Sequence, residues 1–115
     1  MRLRPPDPRT ELVARVWTQG RLLFVALGDG EKDATLRDVV KGRGFRFNYN
    51  ATAWMRILEP RHGLPEHRAA ETAHRLLAAR FQVEVADDIA QMVAQASYEP
   101  EVTRWILACD TGKFR

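Results

Sequence analysis

Leu22, Leu23, Phe24, Val25, Ala26 and Leu27 form an unbroken apolar run. A strand with one wet face has no use for such a run, so it predicts a central strand covered on both sides. Upstream, Glu11 to Thr18 mixes polar residues with β-branched and aromatic ones, the make-up of a strand. Gln19-Gly20 between them reads as a two-residue hairpin turn, because glycine accepts the positive φ that such turns require. Gly28-Asp29-Gly30 then breaks the second strand.

The period next changes to that of a helix. Leu36, Val39 and Val40 fall on one face and leave Arg37, Asp38 and Lys41 outside, predicting a helix over 34–41. Asp33 is its N-cap, and Gly42 or Gly44 stops it. Phe45, Phe47 and Tyr49 alternate with Arg46, Asn48 and Asn50, which is a strand with an aromatic and a polar face. After a turn at Asn50-Ala51-Thr52, Ala53, Met55 and Ile57 alternate with Trp54, Arg56 and Leu58 in a return strand that Pro60 ends.

Pro65, at a first helical position, opens a long helix to about Arg80, with Ala69, Ala73, Leu76, Leu77 and Phe81 on one face. Val83 and Val85 make a short strand. Asp87 or Asp88 caps a helix through Ile89, Met92, Val93 and Ala96, and Tyr98-Glu99-Pro100 interrupts it. A last helix carries Val102, Trp105, Ile106 and Cys109. The order ββαββα-βαα predicts an α+β fold, a small and mostly antiparallel sheet with helices packed on one side. Residues 1–10 hold three prolines and read as an extended N-terminal arm, and residues 11–115 as a single α+β domain.

A chain of 115 residues has room for one core. Its longest apolar run is strand-length, so no membrane partner is expected. Cys109 is the only cysteine, which removes an internal disulfide and a cysteine-based metal site. The basic N-terminus has no apolar stretch after it, and a cytoplasmic protein is the expectation. The formal net charge is +3 with 18 basic residues, most of them arginine. Arginine suits phosphates and base edges, although codon bias enriches it too.

The segment Leu36 to Leu58 carries the most specific pattern. Lys41 is followed by Gly44-Phe45, then Phe47-Asn48, with Trp54 seven residues after Phe47. Over residues 11–59 the chain resembles the HARP-type domain of annealing helicases and the short HARP-like modules of bacterial and mobile-element DNA proteins. Thr52 stands where that pattern has a lysine, and Phe47 where it often has a tryptophan. The resemblance implies a DNA-binding accessory module, with DNA favoured over RNA.

The residues point the same way. An aromatic anchor of Phe45, Phe47 and Trp54 leaves Lys41, Arg43, Arg46 and Arg56 to project from the hairpin and helix end. With Arg37 and Asn48 they form the candidate nucleic-acid-binding set, suited to phosphates or bases, and Arg2, Arg4 and Arg9 of the arm can assist. The expected function is a non-catalytic nucleic-acid-binding accessory module. The rival is a phage- or plasmid-type regulator that docks on a larger nucleic-acid enzyme or defence complex.

Other chemistry is weaker. His67, Glu71 and His74 share a helix face with His62 nearby, yet no zinc spacing is present and no metal is expected. Gly28-Asp29-Gly30 and Gly42-Arg43-Gly44 lack the context of phosphate loops, so no cofactor is expected. Asp87-Asp88 and Glu99/Glu101 read as helix-start acids, Cys109 as a packed thiol, and Ser97 has no glycine elbow. No nucleophile, base and oxyanion donor combine, so the chain is not expected to be an enzyme.

Overall fold

A hairpin with a two-residue loop starts the sheet. β2 (Val13–Gln19) and β3 (Leu22–Ala26) are antiparallel, with Gln19 opposite Leu22. The loop is therefore Gly20-Arg21, one residue later than the sequence predicts, with Gly20 at φ +56°. A computed structural model describes residues 1–28 and 33–101. The helix expected from Val102 to Cys109, with Trp105, lies outside the described residues.

The remaining elements are β1 (Arg2–Leu3), α1 (Ala34–Val40), β4 (Arg46–Asn48), β5 (Ala53–Ile57), α2 (Pro65–Ala78), β6 (Gln82–Glu84) and α3 (Asp87–Gln95). They form a six-stranded sheet in the order β1-β6-β2-β3-β5-β4. Every neighbouring pair is antiparallel except β2 and β6. A parallel pair needs a crossover, and the long connection that includes α2 supplies it. The α+β architecture and the helices on one side agree with the hydrophobic pattern, and the sheet is mixed.

Two side-chain sets follow from the pleat. Ala14, Val16, Leu23, Val25, Trp54 and Val83 face the helices and pack against Leu36 and Val40 of α1, Ala69, Ala73 and Leu76 of α2, and Ile89 and Ala90 of α3. Phe24, Ala26 and Ala53 form a second, smaller cluster with Trp17, Leu22 and Met55 on the opposite face. The unbroken run in β3 is thus buried on both sides, as expected of a central strand.

Local chemistry sets the helix ends. Asp33 Oδ1 accepts the Leu36 N–H at 2.9 Å and caps α1, and Pro65 is the first residue of α2. α3 differs from expectation. Its N-cap is Ala86 with no side-chain cap, and Asp87 and Asp88 lie inside the first turn. There they meet the positive end of the helix, and Asp87 is 3.6 Å from the chain's amino group.

Residues 1–10 are held along the sheet edge. Leu3 pairs with Val83, and the Met1 carbonyl accepts the Val85 N–H at 3.0 Å. Arg9 donates its N–H to Arg80 O at 2.9 Å, lies over the Phe81 ring and reaches Asp33 at 3.5 Å. Arg2 is 4.0 Å from Glu84.

Candidate nucleic-acid interface

On the face turned away from the helices, one lateral row crosses four strands. Trp17 of β2 is opposite Phe24 of β3, Phe24 opposite Met55 of β5, and Met55 opposite Arg46 of β4. Trp17 and Phe24 stack with centroids 5.1 Å apart and planes 11° apart. The Arg15 guanidinium lies over Trp17 at 5.3 Å. An aromatic and thioether row is therefore bracketed by Arg15 at one end and Arg46 at the other, both exposed. At one strand spacing per step, Trp17 and Arg46 are about 14 Å apart along the row. Ile57, opposite Leu22 one row away, is 63% exposed.

The candidate residues separate in the structure. Arg37, Lys41 and Arg43 are exposed, at the end of α1 and in the loop into β4, and Arg46 follows on β4. Between Asp38 and Glu59 the chain has no acidic residue, so this stretch is basic throughout. Lys41 ends α1, and Gly42 and Gly44 have φ of +79° and +86°. At Gly44 a Cβ would meet Arg56 Nε at 3.2 Å, so glycine here permits a close approach as well as the backbone turn.

Arg56 does not project with the others. It shares the Trp54 side of β5, which faces the helices, and is 7% exposed. Its two terminal nitrogens donate to the two Glu101 oxygens at 2.8 and 2.5 Å. Asn48 is half-buried and builds the β4–β5 turn, where Oδ1 accepts the Ala51 N–H at 3.0 Å and Nδ2 lies 3.7 Å from Met55 Sδ. Arg56 is therefore removed from the exposed phosphate-contacting set, while Asn48 stays at a half-exposed turn. For Arg56 the demand of a buried charged group for a partner outweighs any role in solvent.

The aromatic anchor is only partly as expected. Phe45 and Trp54 are buried, and Phe47 meets Trp54 edge-on at 5.5 Å. Tyr49 sits beyond the end of β4 and is 74% exposed, with its ring 4.9 Å from Phe47.

The histidine face of α2 is engaged in structure. His67 Nδ1 accepts the Glu99 N–H at 2.7 Å, His74 Nδ1 bonds the Tyr98 hydroxyl at 2.5 Å, and Glu71 Oε2 accepts the Glu101 N–H at 2.9 Å. Arg68 Nη2 donates to Glu99 O. Tyr98-Glu99-Pro100-Glu101 is thereby strapped along α2. Burial raises the Tyr98 phenol above its ordinary pKa.

Comparison with protein-family models, curated proteins and solved structures returned no match. The site is therefore read from its own chemistry.

Arg15, Trp17 and Phe24 are absent from the sequence-derived set, although a signal for them exists. A loop at 19–20 pairs Trp17 with Leu22, and the observed loop at 20–21 pairs it with Phe24. Either register keeps Arg15, Trp17, Leu22 and Phe24 on one face, because the shift is two residues. Arg21 carried no signal at all. Its Nε donates to Leu58 O at 2.6 Å and its Nη2 to the Glu59 and Gly63 carbonyls, so it fastens the loop after β5.

Proposed function

We propose that this chain is a non-catalytic nucleic-acid-binding module that uses the sheet face turned away from its helices. The observation that carries the reading is the Trp17–Phe24–Met55–Arg46 row with Arg15 over the tryptophan. Phe24 is 5% exposed and backs the row, so the half-buried Trp17 and Met55, flanked by exposed arginines, suit a strand whose bases stack while its phosphates are neutralised. Arg37, Lys41 and Arg43 extend the positive surface beyond β4. The resemblance to HARP-type modules favours DNA as the natural ligand.

Titration with labelled single-stranded and duplex DNA and single-stranded RNA, at low and moderate salt, tests the reading. Saturable binding that weakens steeply with salt is expected, because counterion release drives phosphate contacts. No binding to any of the three at low salt overturns it. The rival, a regulator that docks on a larger protein, draws on the same face through exposed Ile57 beside the row. It predicts co-purification with a protein and no salt-dependent affinity for nucleic acid alone.

A further inference from the structure

The strap over α2 is held by bonds of two kinds. Guanidinium and carboxylate groups fix its far half. Arg68 Nη2 donates to Glu99 O, Glu71 Oε2 accepts the Glu101 N–H at 2.9 Å, and Arg56 clamps the Glu101 carboxylate at 2.8 and 2.5 Å. Arginine stays charged throughout the neutral and mildly acid range, and the Arg56 bonds hold the Glu101 carboxyl below its ordinary range. Imidazoles fix the near half. His67 Nδ1 accepts the Glu99 N–H at 2.7 Å, and His74 Nδ1 bonds the Tyr98 hydroxyl at 2.5 Å. Ala96, with φ 49° and ψ 40°, turns the chain out of α3 just before this half begins.

The His67 bond has a fixed proton requirement. A backbone N–H can only donate, so Nδ1 must offer its lone pair and the ring must be neutral. The Tyr98 hydroxyl can donate or accept, so the His74 bond survives protonation of its ring. His62 Nδ1 also accepts a backbone N–H, that of Glu59 at 2.9 Å, but within its own loop and off the strap. Around His67, α2 itself carries Glu66, Arg68 and Glu71, the loop after β5 brings Arg61 and His62, and the strap brings Glu99 and Glu101. Glu101 is committed to Arg56, and Glu71 to the Glu101 N–H, with Arg75 3.3 Å away. Glu66 and Glu99 are exposed, where a carboxylate compensates a protonated ring weakly.

We propose that the near half of the strap is a proton-operated latch, closed by neutral His67 on the Glu99 N–H and opened when that ring is protonated, while Glu101 stays anchored to Arg56. The closed form binds one proton fewer than the open form, so opening grows as pH falls. The latch lies on the helix side of the sheet and is independent of the face proposed for nucleic acid.

The test follows the whole chain by NMR from about pH 8 to pH 5, the interval in which imidazole side chains change charge. Ring signals of His62 and His67 are read beside the exchange protection of backbone amides, corrected for the intrinsic effect of pH. The Glu99 amide is expected to lose about fivefold in protection, with the midpoint of the His67 ring and not that of His62. The amides of Glu101 and of Val25 in β3 are expected to keep theirs. His67→Asn replaces Nδ1 by a carbonyl oxygen that accepts without titrating, and is expected to leave Glu99 protected across the range. A Glu99 amide that keeps its protection throughout in the unmodified chain overturns the proposal, and this result needs no variant to fold. Parallel losses at Glu99, Glu101 and Val25 also overturn it, because they report unfolding of the whole domain. So does an unchanged response in folded His67→Asn.

Discussion

Arg56 and Glu101 form a bidentate ion pair at 2.8 and 2.5 Å that ties strand β5 to the strap over α2. Their side chains are 9% and 13% exposed. Arg68 stands 3.8 Å from the same carboxylate, and Arg75 approaches Glu71 at 3.3 Å. A charge network therefore lies between the sheet and α2, where apolar packing is usual.

Removing one partner from a buried pair strands the other charge in a poor solvent. Arg56→Ala is expected to destabilise the fold by about 3–5 kcal/mol, far more than an exposed arginine would. Urea denaturation of Arg56→Ala, Glu101→Ala and the double variant checks this. Coupling is expected, with the double variant less damaged than the two single losses added together. Additive losses mean that the pair contributes no interaction of its own.

Acid should destabilise the fold in two stages. Hydrogen bonds from Arg56 hold the Glu101 carboxyl below its ordinary range, against the opposing effect of burial. A depressed carboxyl stabilises the fold above the unfolded carboxylate range near about 4.3 and loses that contribution as pH falls through its lower folded value. Burial, then the Arg56 charge, lowers His62 from 6.5. The folded state thus resists protonating His62, and stability falls as pH drops below that value. Urea midpoints followed from neutral to acid pH should show both losses. Glu101→Gln removes the lower one and His62→Gln the upper, and an unaltered profile in either variant contradicts its assignment.

Gly42 and Gly44 separate backbone strain from crowding. Both have positive φ, yet among the described residues a Cβ at Gly42 meets nothing within 4 Å while one at Gly44 meets Arg56 Nε at 3.2 Å. Gly42→Ala is expected to cost about 1 kcal/mol for the left-handed backbone. Gly44→Ala should cost more, because the Arg56 guanidinium must also shift from its bonds to Glu101. Equal losses in thermal unfolding show that Arg56 yields freely.

The nucleic-acid surface makes a selective prediction. Alanine at Arg15 and Arg46 together should reduce the slope of log affinity against log salt by about 1.4–1.8 and leave stability nearly unchanged. Trp17→Ala should weaken single-strand binding by about 1–3 kcal/mol in equilibrium titrations. Arg56→Lys, at a residue removed from the surface, should leave the salt slope intact in whatever fraction stays folded. A slope unaffected by losing Arg15 and Arg46 excludes the sheet face as the phosphate contact.

Much of this protein was legible along the chain. The run Leu22 to Leu27 announced a strand covered on two sides, Asp33 and Pro65 marked helix starts, and alternation from Phe45 to Leu58 outlined the hairpin. These signals are local, since period, capping and turn chemistry act within a few residues. Even the burial of Arg56 was implicit, because it has the same parity as Trp54 and must share its face.

Tertiary structure alone decided the rest. Trp17 and Arg46 are 29 residues apart in sequence and share a row only because β3 and β5 align between them. Glu101 meets Arg56 across 45 residues, and Met1 meets Val85 across 84. A carboxylate beside a helix start and a carboxylate clamped by a buried guanidinium look identical in sequence. What separates them is desolvation, a property of position in the folded chain and not of residue type.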